Sequence, residues 1–473
     1  MNAITRTNKI EEIIQRNIEN PFGKLQIPWE DALQSMEVYK IPLNFLVYNK
    51  YNGRILSRTK SLEAQNVTID VEDEQDRKLI EKLLWESKPK KNKETLKSLK
   101  DLGQEKVGII TKDGIIVDGN RRAMLLNKID HIDYFKAVVL PITYEDGSLE
   151  IEKFETKYQL GEERKLDYNP IEIYLKIQNL YKQISGKTSY SKDSVDKDAI
   201  KKIYSWIGNY KTIEKEKDIE YFLKVMNIMD EYLDTFGYNS IYTTLDEREE
   251  QFRGLTSWLD SFYSGSNKAF DGYKDRDVDK LRDFCFDYIR IKFKNEKFRY
   301  IGQGHRENHF FGNQEIWESL LNEHNIILSS SNESPIDYNS QNLQAHLNSR
   351  DADFKSSCGE KMSDNVDRHY SSLKNKQSQD EPEKQMTKAL DAFTSINKSN
   401  RNFSSKPVQN KIKKLTTELL SSQATISPSN ILTTIINLLE KIEVDNIPEN
   451  EIEDVLSKTK KIQQIGYQIN KAL

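Results

Sequence analysis

The sequence predicts an α+β domain followed by a mainly α-helical domain, and three observations carry that reading. Residues 107–126 run as two short β-branched stretches around Asp113-Gly114 and then turn helical at Ala123, Met124, Leu125 and Leu126. From Asn169-Pro170 onward, apolar residues recur at the three-to-four spacing of a helix face. Residues 328–380 then lose that period before it returns toward the end. The expected organisation is a helical extension at 1–40, an α+β domain at 41–160 and a helical domain at 161–327. A flexible linker at 328–380 and a helical C-terminal segment at 381–473 complete it.

The elements follow in order. Ile10, Ile13, Ile14 and Ile18 are spaced for an amphipathic helix over 8–19. Residues 41–48, Ile-Pro-Leu-Asn-Phe-Leu-Val-Tyr, read as the first strand, with a loop at 49–54. Leu79, Ile80, Leu83, Leu84 and Trp85 mark one face of a helix at 74–85, and lysines 88, 90, 91 and 93 follow it as a polar stretch. A helix at 94–102 ends at Gly103, the residue favoured just past a helix terminus. Two apolar runs about an Asp-Gly pair predict a tight hairpin at 107–117, and residues 135–142 form the closing strand.

In the second half, helices are expected at 170–184, 197–207, 213–234, 244–263 and 277–294. The pair around Gly208-Asn209-Tyr210 is a helix–turn–helix candidate. Its second helix begins with Glu214, Glu216 and Asp218, acidic residues that repel DNA, so base reading through it is discounted. His305 and His309 stand four apart but lack the glutamate of a zinc-protease helix, and read as a polar loop. Ser, Asn, Asp and Lys dominate 328–380, which predicts a mobile segment. Leu432, Ile435, Ile436, Leu438, Leu439 and Ile442, then Ile452, Val455, Ile462 and Ile465, mark two C-terminal apolar faces. These suit a homodimer or a partner protein, or docking back on the chain itself.

Composition narrows the classes. Charged residues are 31% of the 473 and hydrophobic ones 36%, a polar balance that goes with a modest core. No apolar run approaches the roughly 18 residues of a membrane helix. The charged first twenty residues lack an apolar signal core, and two cysteines make no disulfide framework, so a cytoplasmic location is expected. A net charge of -4 excludes a globally basic nucleic-acid binder, and any DNA contact must use a local patch.

The chemistry concentrates at Asp118-Gly119-Asn120-Arg121-Arg122, where the second hairpin strand becomes a helix. Glycine permits close backbone approach, a helix start presents unpaired N–H groups, and arginine forks suit phosphate oxygens. That combination predicts an anion site, for the phosphates of a nucleotide.

The order of these motifs resembles the ParB/sulfiredoxin superfamily. Its members carry a helix, a glycine-ended turn, a hairpin and a Gly-x-Arg-Arg or Gly-x-x-Arg phosphate turn. Here these are residues 94–102, Gly103-Gln104, residues 107–117 and Gly119-Asn120-Arg121-Arg122. The loop Asn49-Lys50-Tyr51-Asn52-Gly53-Arg54 resembles the family's upstream arginine loop, with Gly53 where proline is usual. Tyr168-Asn169-Pro170-Ile171-Glu172 resembles its downstream segment beside the nucleotide. The resemblance covers 41–185. It implies that Gly119, Asn120, Arg121, Arg122, Arg54 and Asn169 bind a nucleoside triphosphate, CTP or ATP. It also implies that Glu172 and Glu162 hold Mg²⁺, with Asp118, Glu162 and Glu172 as the acidic residues of any hydrolysis. Gly161-Glu162-Glu163-Arg164 departs from the family's acidic/amide pair, and Asn120 stands where sulfiredoxins have their cysteine, which argues against reductase chemistry. The implied function is an NTP-dependent switch or hydrolase in a DNA-related system such as anti-phage defence or a mobile element. A nuclease on the same fold, or an interaction module without turnover, are the alternatives.

Overall fold

The computed structural model describes residues 1–30, 32–160, 169–208, 212–331, 333–340, 342–378, 381–423 and 427–473. The chain divides into two compact units, Met1–Gln379 and Asp380–Leu473. Among the described residues, no helix is long and apolar enough to cross a membrane.

The first unit opens with α1 (Ala3–Arg16), β1 (Gly23–Trp29), β2 (Ala32–Pro42), a 3-10 turn and β3 (Val47–Tyr48). Next come α2 (Leu56–Glu63), α3 (Glu74–Ser87), α4 (Pro89–Leu102), β4 (Gly108–Ile110), β5 (Ile115–Asp118), α5 (Asn120–Leu126), β6 (Tyr134–Val139) and α6 (Ser148–Leu160). The six strands form one mixed sheet in the order β1-β2-β6-β4-β5-β3. The β4–β5 hairpin forms around Asp113-Gly114 as the sequence predicts. Gly114 is left-handed at φ 82°, and an added Cβ would sit 2.5 Å from the Phe45 carbonyl oxygen. Alternation along the strands sorts the core onto two faces. Ile110, Ile116 and Ala137 face Ile10, Ile80, Leu84 and Met124 on helices, whereas Ile109, Val117 and Val138 face Ile151 and Phe154 of α6.

Three expectations about this region change. The 1–40 segment is not a purely helical extension, because β1 and the start of β2 add two strands to the sheet. The strand read at 41–48 is broken at Pro42, where a 3-10 turn separates β2 from β3. The lysine stretch is not a loop. Pro89 begins α4, so Lys90, Lys91 and Lys93 lie on its first turns and Lys88 is the junction with α3.

The helical half comprises α7 (Pro170–Ser185), α8 (Lys197–Ile207), α9 (Glu216–Thr235), α10 (Glu249–Tyr263), α11 (Asp275–Arg290), α12 (Asn295–Phe298), α13 (Gln314–Ser329) and α14 (Leu343–Gln377). Helix α9 buries Ile219, Phe222, Leu223, Met226, Met229 and Leu233 in the centre of this core, packed on α7, α8 and α10. Asn209 and Tyr210, in the turn of the helix–turn–helix candidate, lie outside the described residues. His309 is buried rather than in a polar loop.

The linker expectation fails most clearly. Residues 343–377 form a 35-residue helix whose Leu343, Leu347, Phe354, Cys358, Met362, Val366 and Leu373 are buried in the helical core.

The second unit contains α15 (Pro382–Thr394), α16 (Lys406–Gln423), α17 (Pro428–Leu439) and α18 (Ile452–Ala472). Leu432, Ile435, Ile436, Ile442, Ile452, Ile462 and Ile465, on the two expected apolar faces, are exposed.

Candidate functional site

The β5-to-α5 turn needs its glycine. Gly119 sits at φ 106°, and a Cβ there would come within 2.7 Å of the Phe135 ring and 3.3 Å of Arg122 Nη2. Asn120 begins α5, and its buried carboxamide is a stitch: Oδ1 accepts from the Asn49 amide at 2.9 Å, while Nδ2 donates to the Ile116 carbonyl at 2.9 Å. The turn is thereby clamped to the 49–54 loop. That loop is braced from within, since Asn49 Oδ1 accepts from the Tyr51 amide (2.9 Å) and Asn52 Oδ1 from the Arg54 amide (3.2 Å). Asn52 Nδ2 also donates to Glu155 Oε1 of α6 at 3.1 Å. Glu155 is buried and paired with Lys176 of α7 at 3.0 Å. Burial pushes its carboxyl pKa up, against the opposing Lys176 ammonium. Nothing in the sequence pattern singled out Glu155 or Lys176, because each is one more charged residue on a helix until the fold buries them together.

The two arginines of the turn part company. Arg122 Nη2 donates to Asp118 Oδ2 at 2.6 Å, and its Nη1 donates to the carbonyls of Lys106 and Val107. Arg122 and Asp118 therefore lock the turn onto the strand before it, and neither is placed as a phosphate ligand or a catalytic acid. Arg121, one helical step away, points elsewhere. It donates to Thr95 Oγ1 of α4 at 3.1 Å and shares its surroundings with Arg54 and Lys88. Burial, then the fields of Arg54 and Arg122, lower the Arg121 pKa to about 10. Burial, then Lys91, Arg54 and Arg121, lower that of Lys88 to about 8. Cations from the 49–54 loop, the α3–α4 junction, α4 and α5 thus face one another closely enough to destabilise each other's charge. With only seven residues, α5 adds a small dipole at most; the positive field here comes from the side chains.

Glu172, one of the two acidic residues expected to hold Mg²⁺, is committed elsewhere. Glu172, on the first turn of α7, is 1% exposed. Its carboxylate accepts from the Ser57 amide at 2.8 Å and the Ser57 hydroxyl at 2.6 Å, with Arg58 at 3.8 Å. It therefore satisfies the first turn of α2 and has no oxygen turned to an open site. Asn169 caps α7, accepting from the Ile171 amide at 3.2 Å and donating to Asp246 at 3.2 Å, so it too is structural. Glu162 and Tyr168 lie outside the described residues. Among the described residues no three His, Cys, Asp or Glu side chains are placed to share a metal ion. The described residues do not by themselves make a site for a protein-held Mg²⁺.

No protein-family model matches the chain, and no curated protein matches it. Its reading rests on these residues.

Glu172 yields a pH prediction. Burial, resisted by Ser57 and Arg58, pushes its pKa from 4.5 up to about 7. A raised carboxyl pKa gives stability that is fully present below the unfolded value and is lost as pH rises through the folded one. Between about pH 5 and about pH 8, the urea stability of Glu172→Gln should therefore gain about 3 kcal/mol relative to the parent. A difference that stays flat across that range would contradict the buried-acid assignment.

Proposed function

We propose that the first unit is a nucleotide-binding switch whose phosphate site is made by Arg54, Lys88, Lys91 and Arg121 beside the Gly119 turn. The carrying observation is the convergence of these cations from four chain segments, where burial first and then the fields of the neighbouring cations depress the pKa of Lys88 and Arg121. Like charges held together are costly, and a polyanion relieves that cost. The resemblance to ParB-like proteins makes a nucleoside triphosphate, CTP or ATP, the anion of choice, in a DNA-related process such as anti-phage defence or a mobile element. Binding and switching are favoured over hydrolysis and over the nuclease reading. Both of those need clustered acidic residues, and Asp118 and Glu172 are each committed elsewhere. A thermal-shift screen of the four nucleoside triphosphates, with and without Mg²⁺, tests the reading. One base should stabilise the protein, and Mg²⁺ should change the shift only as far as it changes the nucleotide's own charge. No stabilisation by any of them would overturn it.

The exposed lysines 90, 91, 93 and 97 of α4 border this site and give any DNA contact its local patch. If four to six phosphates are neutralised, log affinity should fall against log salt with a slope of about -4 to -5. Lys90→Ala with Lys93→Ala should flatten that slope by about 2 on unrelated sequences alike. Tight binding that persists at high salt would rule the patch out.

A further inference from the structure

A cleft lies far from this turn in sequence, at the surface of the helical half between α10, α12 and the loop after α12. Its volume is about 420 Å³ and it is open to solvent, within the size range of small-molecule sites. Its wall is aromatic: Trp258 stacks on Phe298 with ring centroids 5.3 Å apart. Two glycines keep the indole uncrowded. A Cβ on Gly302 would come within 2.9 Å of the ring, and one on Gly254 within 3.6 Å. The polar lining carries three cations, Arg253, Lys268 and Arg299, and one carboxylate, Glu250; Arg253 is also 3.7 Å from Glu249 of the preceding helical turn. The Glu250 carboxylate is already neutralised by Arg299 at 2.5 Å and accepts from Asn295 at 2.6 Å. Among the described residues, the amides of Gly302 and Gly304 and the indole N–H of Trp258 donate to no protein acceptor.

We propose that this cleft binds a small anion bearing a planar ring, an aryl or heteroaryl phosphate or carboxylate. The ring lies against Trp258, and the anionic group takes the glycine amides with Lys268 and Arg253. Ring and charge have separate complements in the lining, so a ligand with both binds better than either part. The inference is independent of the phosphate site at Gly119.

Calorimetric titration with phenyl phosphate tests it, using inorganic phosphate and benzyl alcohol as the two halves. The parent and an Arg54→Ala/Arg121→Ala protein are both titrated, so that the other site is removed from the result. Phenyl phosphate should bind both with a Kd on the order of 0.1 mM, and each half at least about tenfold more weakly. Lys268→Ala, an exposed change, should weaken binding about tenfold. Gly254→Leu fills the cleft from an ordinary helical position and gains helix propensity. It should abolish binding without lowering the melting temperature. Absence of binding up to about 10 mM, equal binding of phenyl phosphate and inorganic phosphate, or undiminished binding by Gly254→Leu would each overturn the proposal.

Discussion

Replacing Arg54 and Arg121 together with alanine is expected to weaken nucleotide binding by about a hundredfold or more, since each charge-assisted bond to phosphate is worth about 1.5–3 kcal/mol. The melting temperature should barely move, because removing two cations from a group of like charges relieves repulsion while it loses packing. Arg122→Ala should behave in the opposite way. Its guanidinium holds Asp118 and the two carbonyls ahead of β4, so its loss leaves partners unsatisfied and lowers stability, with affinity falling only as the turn loosens. The proton count gives a second reading. Lys88 titrates near pH 8 in the free protein, and a bound phosphate restores its ordinary value. Binding at that pH should then take up about half a proton, read from the buffer dependence of the calorimetric enthalpy. Equal affinity in the parent and the double variant, at any pH, would remove the phosphate site from this turn.

The distinction between adjacent arginines marks how far the sequence could be read. The hairpin, the left-handed glycine and the arginine-bearing helix start were legible because Asp-Gly and Gly-Asn-Arg-Arg are local signals whose geometry follows from the residues themselves. Which arginine faces the site was not, because a rotation of about 100° per helical residue sends neighbours to different surroundings. Glu172 and Asn169 lay in a recognisable segment, yet their partners Ser57 and Asp246 are 115 and 77 residues away. Such spacing leaves no periodic trace. The edge strand β1 was hidden by Lys24, Gln26 and Pro28, which alternate outward from Leu25, Ile27 and Trp29. The alternation was present but short and interrupted. Helix α14 was hidden differently. Its buried stripe includes Asp351, Asn365 and His369, so polar residues occupy core positions and the apolar count falls below what a helix face normally shows.

Those polar core positions make α14 the place where a single substitution should do the most damage to the fold. Asp351 accepts from Arg290 Nε at 2.8 Å, from Arg248 Nη2 at 3.0 Å and from the Tyr238 hydroxyl. Arg248 also donates to the carbonyls of Ile289 at 3.0 Å and Arg290 at 2.9 Å. The Arg290 guanidinium lies 4.5 Å from the Phe354 ring centroid. One carboxylate therefore joins α14 to the start of α10 and the end of α11. Asp351→Ala leaves the buried Arg248 guanidinium without its counter-charge, while Arg290 keeps Glu333, and breaking a buried pair in this way costs about 3–5 kcal/mol. Asp351→Asn keeps acceptor geometry without the charge and should fall between. The change should also expose α14 to protease. In the parent, brief proteolysis should cut first at or beyond the 379–381 boundary, leaving 343–377 intact; in Asp351→Ala, cuts within 343–377 should appear at the same protease dose. A parent cut first within 343–377 would restore the linker that the sequence alone suggested, and an Asp351→Ala protein with an unshifted urea midpoint would show that α14 is held by its apolar stripe alone.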